Sequence, residues 1–432
     1  MSKSDVQPIL GYENFNLRAR SQKVIPDNQN QPSKFDVVLG DRAPLPIGDV
    51  VLGGMEGVKR RLKSTVVEAR LTALGEAFNY GEAGINLIIE TLKDESKQVR
   101  LTAARLLREK GSQKEKQILI DCDPWLFFTT LEGWNQYTAV RTTKQLVNLL
   151  QEPQITTLEA LVCEIEKNGS YGKFQDFVNV LVATPERLPY LKALFMGDPS
   201  DSKQWKRGYS QICLSNINPI LKAFPHLQVL HLCGFFGHAS NPILKNKQKQ
   251  ELLQIRNRDG SPVVSKKTHT ELKTLIIEGA DLTDEHVAEI CQLEYPSLEY
   301  LELWLGRRDT EKIVKSLAPL LSGKSCPNLI YLGLIGSENT NAIARAISCS
   351  EIIKRLKVLD LGKGKLTVAG VTDLLKCPTI ENLHTLNVSE NCLRPIAIEQ
   401  LSHINCQVIA NSQFHDSYRF DDDSARYYTA WE

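Results

Sequence analysis

The sequence lacks most of the features that mark a familiar chemistry. No run approaches the roughly 18 apolar residues that a membrane helix needs. The opening stretch MSKSDVQPIL has no apolar core of a secretory signal, so a cytoplasmic location is expected. Net charge is almost absent, with 52 Lys and Arg against 51 Asp and Glu. That balance excludes a whole-protein role on nucleic acid or an acidic membrane and leaves only local patches. None of the ten cysteines forms a C-x-x-C pair, which excludes a zinc ribbon and a redox dithiol. They read as small buried hydrophobes in a reducing cytosol. There is no G-x-x-x-x-G-K-[ST], no G-x-S-x-G and no H-E-x-x-H, and GKGK at 362–365 reads as a turn. No two histidines have the i, i+4 spacing of a helical metal site. His231 and Cys233 share one strand face but lack the two further ligands that zinc demands. Asp421, Asp422 and Asp423 read as a solvated tail, because magnesium sites draw on rigidly held carboxylates. No catalytic residue, metal ligand or cofactor is therefore assigned.

What the sequence has is repetition. The form L-x-x-L-x-L, with some apolar replacements, begins at Leu191, Leu227, Leu272, Leu298, Leu329, Leu356 and Leu383. The spacings are 36, 45, 26, 31, 27 and 27 residues, and the shorter ones leave room for a strand, a turn, a helix and a return turn. Pro189, Pro225, Pro296 and Pro327 each stand two residues before such a start, where a missing N–H breaks no ladder bond. The stretches between read as helices. TDEHVAEICQL offers Thr283 as a cap and then Val287, Ile290 and Leu293 at helical spacing.

This pattern resembles the leucine-rich repeat family in its strand-plus-helix form, over residues 188–412. LHTLNVSENCL comes nearest the family consensus, with Asn391 at the place of the ladder asparagine. The resemblance implies an α/β leucine-rich repeat solenoid, or horseshoe, and a binding surface rather than an activity. Upstream, ARLTALGEAF and VRLTAARLLREKG share R-L-T-A, and GINLIIETLKD between them has the spacing of a partner helix. A looser copy, VRTTKQLVNLL, begins at Val140. Together these resemble short HEAT repeats of the phycobilisome lyase-like kind, in an N-terminal module typical of cyanobacterial modular proteins. The expected organisation is a flexible segment 1–45, an all-α HEAT-like domain 46–152 and a connecting helical segment 153–187. The repeat domain 188–412 follows, and then an acidic, aromatic tail 413–432.

Strand alternation puts the third, fifth and seventh residues of each repeat on the concave face. Neighbouring strands lie about 4.8 Å apart, so Tyr300, Trp304, Tyr331 and Ile335 should form one exposed apolar patch. Glu302, Glu278, Ile276 and Asp360 should flank it. Exposed aromatics ringed by polar groups are typical of an interface centre. The alternative is that the chain's own helices or tail cover the patch. The expected function is thus a non-enzymatic adaptor or scaffold that binds another protein through these eight residues. A bilin or cofactor lyase-like or chaperone role of the helical module is a second reading. Nucleic-acid binding through residues 235–270, whose basic and acidic residues leave a net charge of +5, is a third. That stretch has few aromatics among its charges, as single-strand binding would want, so a solvated loop is preferred.

Overall fold

A computed structural model of the chain describes residues 54–129, 137–165, 173–197, 218–234, 269–278, 282, 284–306 and 310–414. The N-terminal segment, the basic stretch 235–268, the Thr283 cap and the tail from 415 lie outside the described residues. The described chain divides into two compact units, with the boundary between Phe127 and Phe128.

The first unit is all-helical: α1 (Gly54–Leu62), α2 (Val67–Ala77), α3 (Gly81–Glu90), α4 (Lys97–Lys110), α5 (Gln113–Cys122) and α6 (Pro124–Phe127). The R-L-T-A repetition has a structural counterpart. Arg70 Nη1 donates to the carbonyl of Ser64, and Arg100 Nη1 donates to the carbonyl of Asp94, each at 2.6 Å. Each arginine therefore pins the turn that leads into its own helix, satisfying carbonyls that would otherwise be orphaned. The copies are also tied together, because Arg70 Nη2 reaches Asp94 Oδ1 at 3.1 Å. α2 buries Ala73, Leu74 and Ala77, and α4 buries Val99, Ala103, Ala104 and Leu107, so small and large residues alternate along the contact. α5 opens with a reciprocal cap between Ser112 and Glu115.

The second unit is built on one parallel sheet of ten strands in sequence order. These are β1 (Thr138–Val140), β2 (Ala160–Glu164), β3 (Ala193–Gly197), β4 (Val229–Cys233), β5 (Thr274–Glu278), β6 (Tyr300–Trp304), β7 (Tyr331–Ile335), β8 (Val358–Asp360), β9 (Thr385–Asn387) and β10 (Gln407–Ile409). Parallel neighbours need a crossover, and helices such as Thr310–Leu321 and Thr340–Ser348 supply it. All seven expected strands form. Leu298, Leu301 and Leu303 are buried in one continuous core with Ile313, Leu317 and Leu320 of the following helix. Each buried leucine contributes about 1.5–3 kcal/mol relative to exposure. This is a strand–helix solenoid.

The four prolines sit one step earlier than a strand entrance. Leu191, Leu227, Leu298 and Leu329 donate their N–H to Leu188, Phe224, Tyr295 and Cys326. Each proline is thus the second residue of a hydrogen-bonded turn, where its fixed φ suits the geometry. Asn391 is the predicted ladder residue. Its Nδ2 donates to the carbonyls of Leu361, Val388 and Ser389, and its Oδ1 accepts from Leu366 N at 2.8 Å. The preceding repeats close their loops by backbone bonds instead, with Gly336 N donating to Gly362 O and Lys363 N to Ser389 O.

The boundaries fall elsewhere than the sequence suggested. The sheet begins at Thr138, not after 188, and the stretch at Val140 forms β1 and the helix Thr143–Gln151 rather than a further all-helical copy. Its Val140, Leu146 and Leu150 enter the solenoid core together with Ile155 and Leu161. The expected connector contains β2, whose LEALVC puts cysteine where a sixth-place leucine was sought. Cys122 and Cys349 are exposed, against the expected burial. No helix among the described residues is long and apolar enough to cross a membrane.

Arg70→Met should destabilise the helical unit by about 3 kcal/mol in urea unfolding, since it leaves Asp94 without its buried cation. Arg100→Met should cost markedly less, because Arg100 bonds only carbonyls at that turn. Equal losses would contradict the pairing.

Candidate functional site on the sheet face opposite the helices

Strand register brings the predicted residues together. Thr274, Tyr300, Tyr331, Val358 and Thr385 form one row, and Ile276, Glu302, Gly333, Asp360 and Asn387 the next. Trp304 lies opposite Ile335, and Cys233 opposite Glu278. All eight predicted residues share this face.

The expected exposure is not found. Glu302 is 6 %, Trp304 2 %, Tyr331 1 %, Ile335 2 % and Asp360 3 % exposed. Tyr300, Ile276 and Glu278 are half-buried. Two physical causes are visible. The aromatics cover one another: the Tyr300 and Tyr331 rings stack at 3.8 Å with planes 2° apart. The chain also covers them. Phe128 meets Tyr300 edge-on at 5.1 Å and Tyr331 at 5.9 Å. Beside it the Thr129 carbonyl accepts from Thr274 Oγ1 at 2.6 Å.

Glu302 is the centre of the cluster. Its Oε2 accepts from the Tyr300 hydroxyl at 2.7 Å, and its Oε1 from Trp304 Nε1 at 2.7 Å. The Tyr331 hydroxyl lies 3.2 Å from Glu302 Oε2 and 3.3 Å from Asp360 Oδ2. It has one proton and can donate it to only one of the two carboxyls. Asp360 is held from the other side by Asn387 Nδ2 at 2.9 Å and Gly362 N at 2.8 Å. Gly333 makes this possible: a Cβ there would stand 2.9 Å from the Tyr331 hydroxyl and 3.2 Å from Glu302 Cγ. The tyrosine ring occupies the space above the glycine.

Burial pushes the Glu302 carboxyl above its ordinary range, and the donated bonds from Tyr300 and Trp304 only partly offset it. Burial likewise raises Asp360. Tyr300 is pushed well above an ordinary tyrosine by burial and by the Glu302 charge beside it. Further along, His231 Nε2 lies 3.3 Å from Glu278 Oε2, and its ring meets Phe195 edge-on at 4.9 Å. Among the described residues no group of three or more His, Cys, Asp or Glu side chains is placed to hold a metal ion.

Sequence reasoning missed Phe128 and Thr129. The available signal was the apolar run PWLFF at 124–128, too short for a core helix and followed by no strand pattern. Alternation puts Gly333 and Asn387 in the same row as Glu302 and Asp360, but no sequence signal assigns them a part in the acid cluster.

No family model matches the chain, and no curated protein matches it. Among solved structures, a Bacteroides fragilis protein is similar at 20 % identity and a TM-score of 0.48, over 73 % of this chain and 84 % of that one. An internalin from Listeria monocytogenes is similar at 15 % identity and a TM-score of 0.26, over 61 % of this chain and 77 % of that one. The architecture is carried by the strand order and register of the chain itself.

Trp304→Ala should lower stability by about 3–5 kcal/mol, as for a buried aromatic. An exposed tryptophan would change the melting temperature little. The carboxyls give a second test. Their pKa values are raised on folding, so their stabilisation is complete below the ordinary carboxylate range and is lost as pH rises through the folded values. Melting temperature should therefore decline as pH rises above the ordinary carboxylate range of about 4, and Glu302→Gln should flatten that decline. An unchanged slope in the variant would contradict it.

Proposed function

We propose that the chain is a non-enzymatic protein-interaction scaffold of leucine-rich repeat type, preceded by a HEAT-like helical module and acting in the cytoplasm. Its partner is another protein. The proposed contact face carries Tyr300, Glu302, Trp304, Tyr331 and Ile335, with Ile276, Glu278 and Asp360 at its edges; it is closed in the free chain, so a partner reaches it by displacing Phe128 and Thr129.

The observation that supports this reading is the pair of buried carboxyls in an aromatic setting. Apolar residues in the fifth-place row would stabilise the fold more, because a buried charge carries a desolvation penalty of several kcal/mol. Raised carboxyls set among specific donors are the usual mark of a site rather than of a core. The acids supply specificity and the stacked rings supply contact area, as aromatic anchors do at interface centres.

The test is quantitative capture from the native host by the full chain, read by mass spectrometry against the double variant Glu302→Gln, Asp360→Asn. Both replacements keep shape and remove charge. The variant should lose at least tenfold of the captured partner while still unfolding cooperatively, at a somewhat lower temperature than wild type because the amide at 360 turns an NH2 toward Asn387 Nδ2 or Gly362 N. Undiminished capture by a folded variant would contradict the proposal.

A further inference from the structure

We infer that this face takes a peptide segment carrying an aromatic side chain, and that Phe128–Thr129 is the chain's own occupant of that seat. The inference rests on the proposed interaction role and names the chemistry of the partner.

The contact has the features of peptide recognition. Phe128 and Thr129 belong to no helix or strand. The Phe128 ring and the Thr129 carbonyl both touch this face. The Phe128 ring is 6 % exposed and sits edge-on against both stacked tyrosines, the preferred arrangement for aromatic pairs. One residue on, the carbonyl of Thr129 accepts from Thr274 Oγ1, and Thr274 itself is fully buried. An aromatic pocket beside a fixed hydroxyl donor can take a side chain and a backbone carbonyl of one segment together.

The present occupant fits imperfectly. Thr129 is 7 % exposed and its Oγ1 has no hydrogen-bond partner. A buried, unpaired hydroxyl is unfavourable, so a segment with an apolar residue at that place would sit better. The seat thus favours an aromatic residue followed by an aliphatic one over the Phe-Thr that fills it. A tethered segment competes at an effective concentration of about millimolar, so a foreign segment must either bind better or meet a chain whose own segment is weakened.

The experiment uses the full chain and two fluorescein-labelled synthetic peptides, PWLFFTT, which copies residues 124–130, and PWLFFVT, with valine at the Thr129 place. Binding is followed by fluorescence anisotropy, and folding by circular dichroism melting. PWLFFTT should bind the Phe128→Ala chain saturably and the wild-type chain at least tenfold more weakly. PWLFFVT should bind several-fold tighter than PWLFFTT, and adding Tyr300→Ala should weaken both at least tenfold. If Phe128→Ala does not fold, Phe128→Leu takes its place and the same order of affinities is required. Equal binding to wild type and variant, indifference to Tyr300, or no binding to a folded Phe128 variant would overturn the inference. If partner capture depends on Glu302 and Asp360 while the peptides fail, the aromatic seat is refuted and the scaffold reading stands. If the peptides bind as required but capture ignores both acids, the scaffold reading falls.

Discussion

The parallel register of the ten strands is the constraint on which the rest depends. It repeats every position of one strand beside the same position of the next. Leucines at the fourth and sixth places therefore meet leucines and close a single core. The same rule, applied to the opposite face, sets Tyr300 against Tyr331 and Glu302 between Ile276 and Gly333. A slip of one residue would send the leucines outward and the acids inward, so burial of one face fixes the composition of the other.

That other face is energetically unusual. Two carboxyls are buried within reach of one tyrosine hydroxyl, and each is supplied with donors from its own side. The donors keep the arrangement tolerable, yet both carboxyls remain above their ordinary range. A solenoid needs none of this for its core. The leucine face and the acidic face of the same strands thus differ in kind: one is uniformly apolar, the other buries two carboxyls among aromatic rings.

Much of this was legible in the sequence, because period-two alternation on a repeating leucine motif determines both faces. The seven strand starts and the grouping of all eight face residues follow from it, and the ladder place of Asn391 from the resemblance to the leucine-rich repeat consensus. What was not legible has particular reasons. β2 hid behind Cys163 at a sixth-place leucine, and β10 behind Asn405 at a first-place one, so the array looked shorter than it is. The residues near Val140 have helical spacing after a two-residue turn, which mimics a helix pair until the strand before them is seen. Burial of Tyr300 and Trp304 could not be read from alternation, since alternation gives the face but not what lies on it. Phe128 and Thr129 come from a different part of the chain, with Thr129 separated from Thr274 by 145 residues. No local pattern carries a contact of that range.

The claim that this face is closed rests on one aromatic cluster and can be read optically. Tryptophan emission of the wild-type chain, minus that of Trp304→Phe, isolates the Trp304 contribution, and acrylamide quenching reports its access to solvent. A blue-shifted difference spectrum that resists quenching is expected, because Trp304 is buried with its indole N–H on Glu302. A red-shifted component quenched as readily as a free indole would mean instead that the face is open.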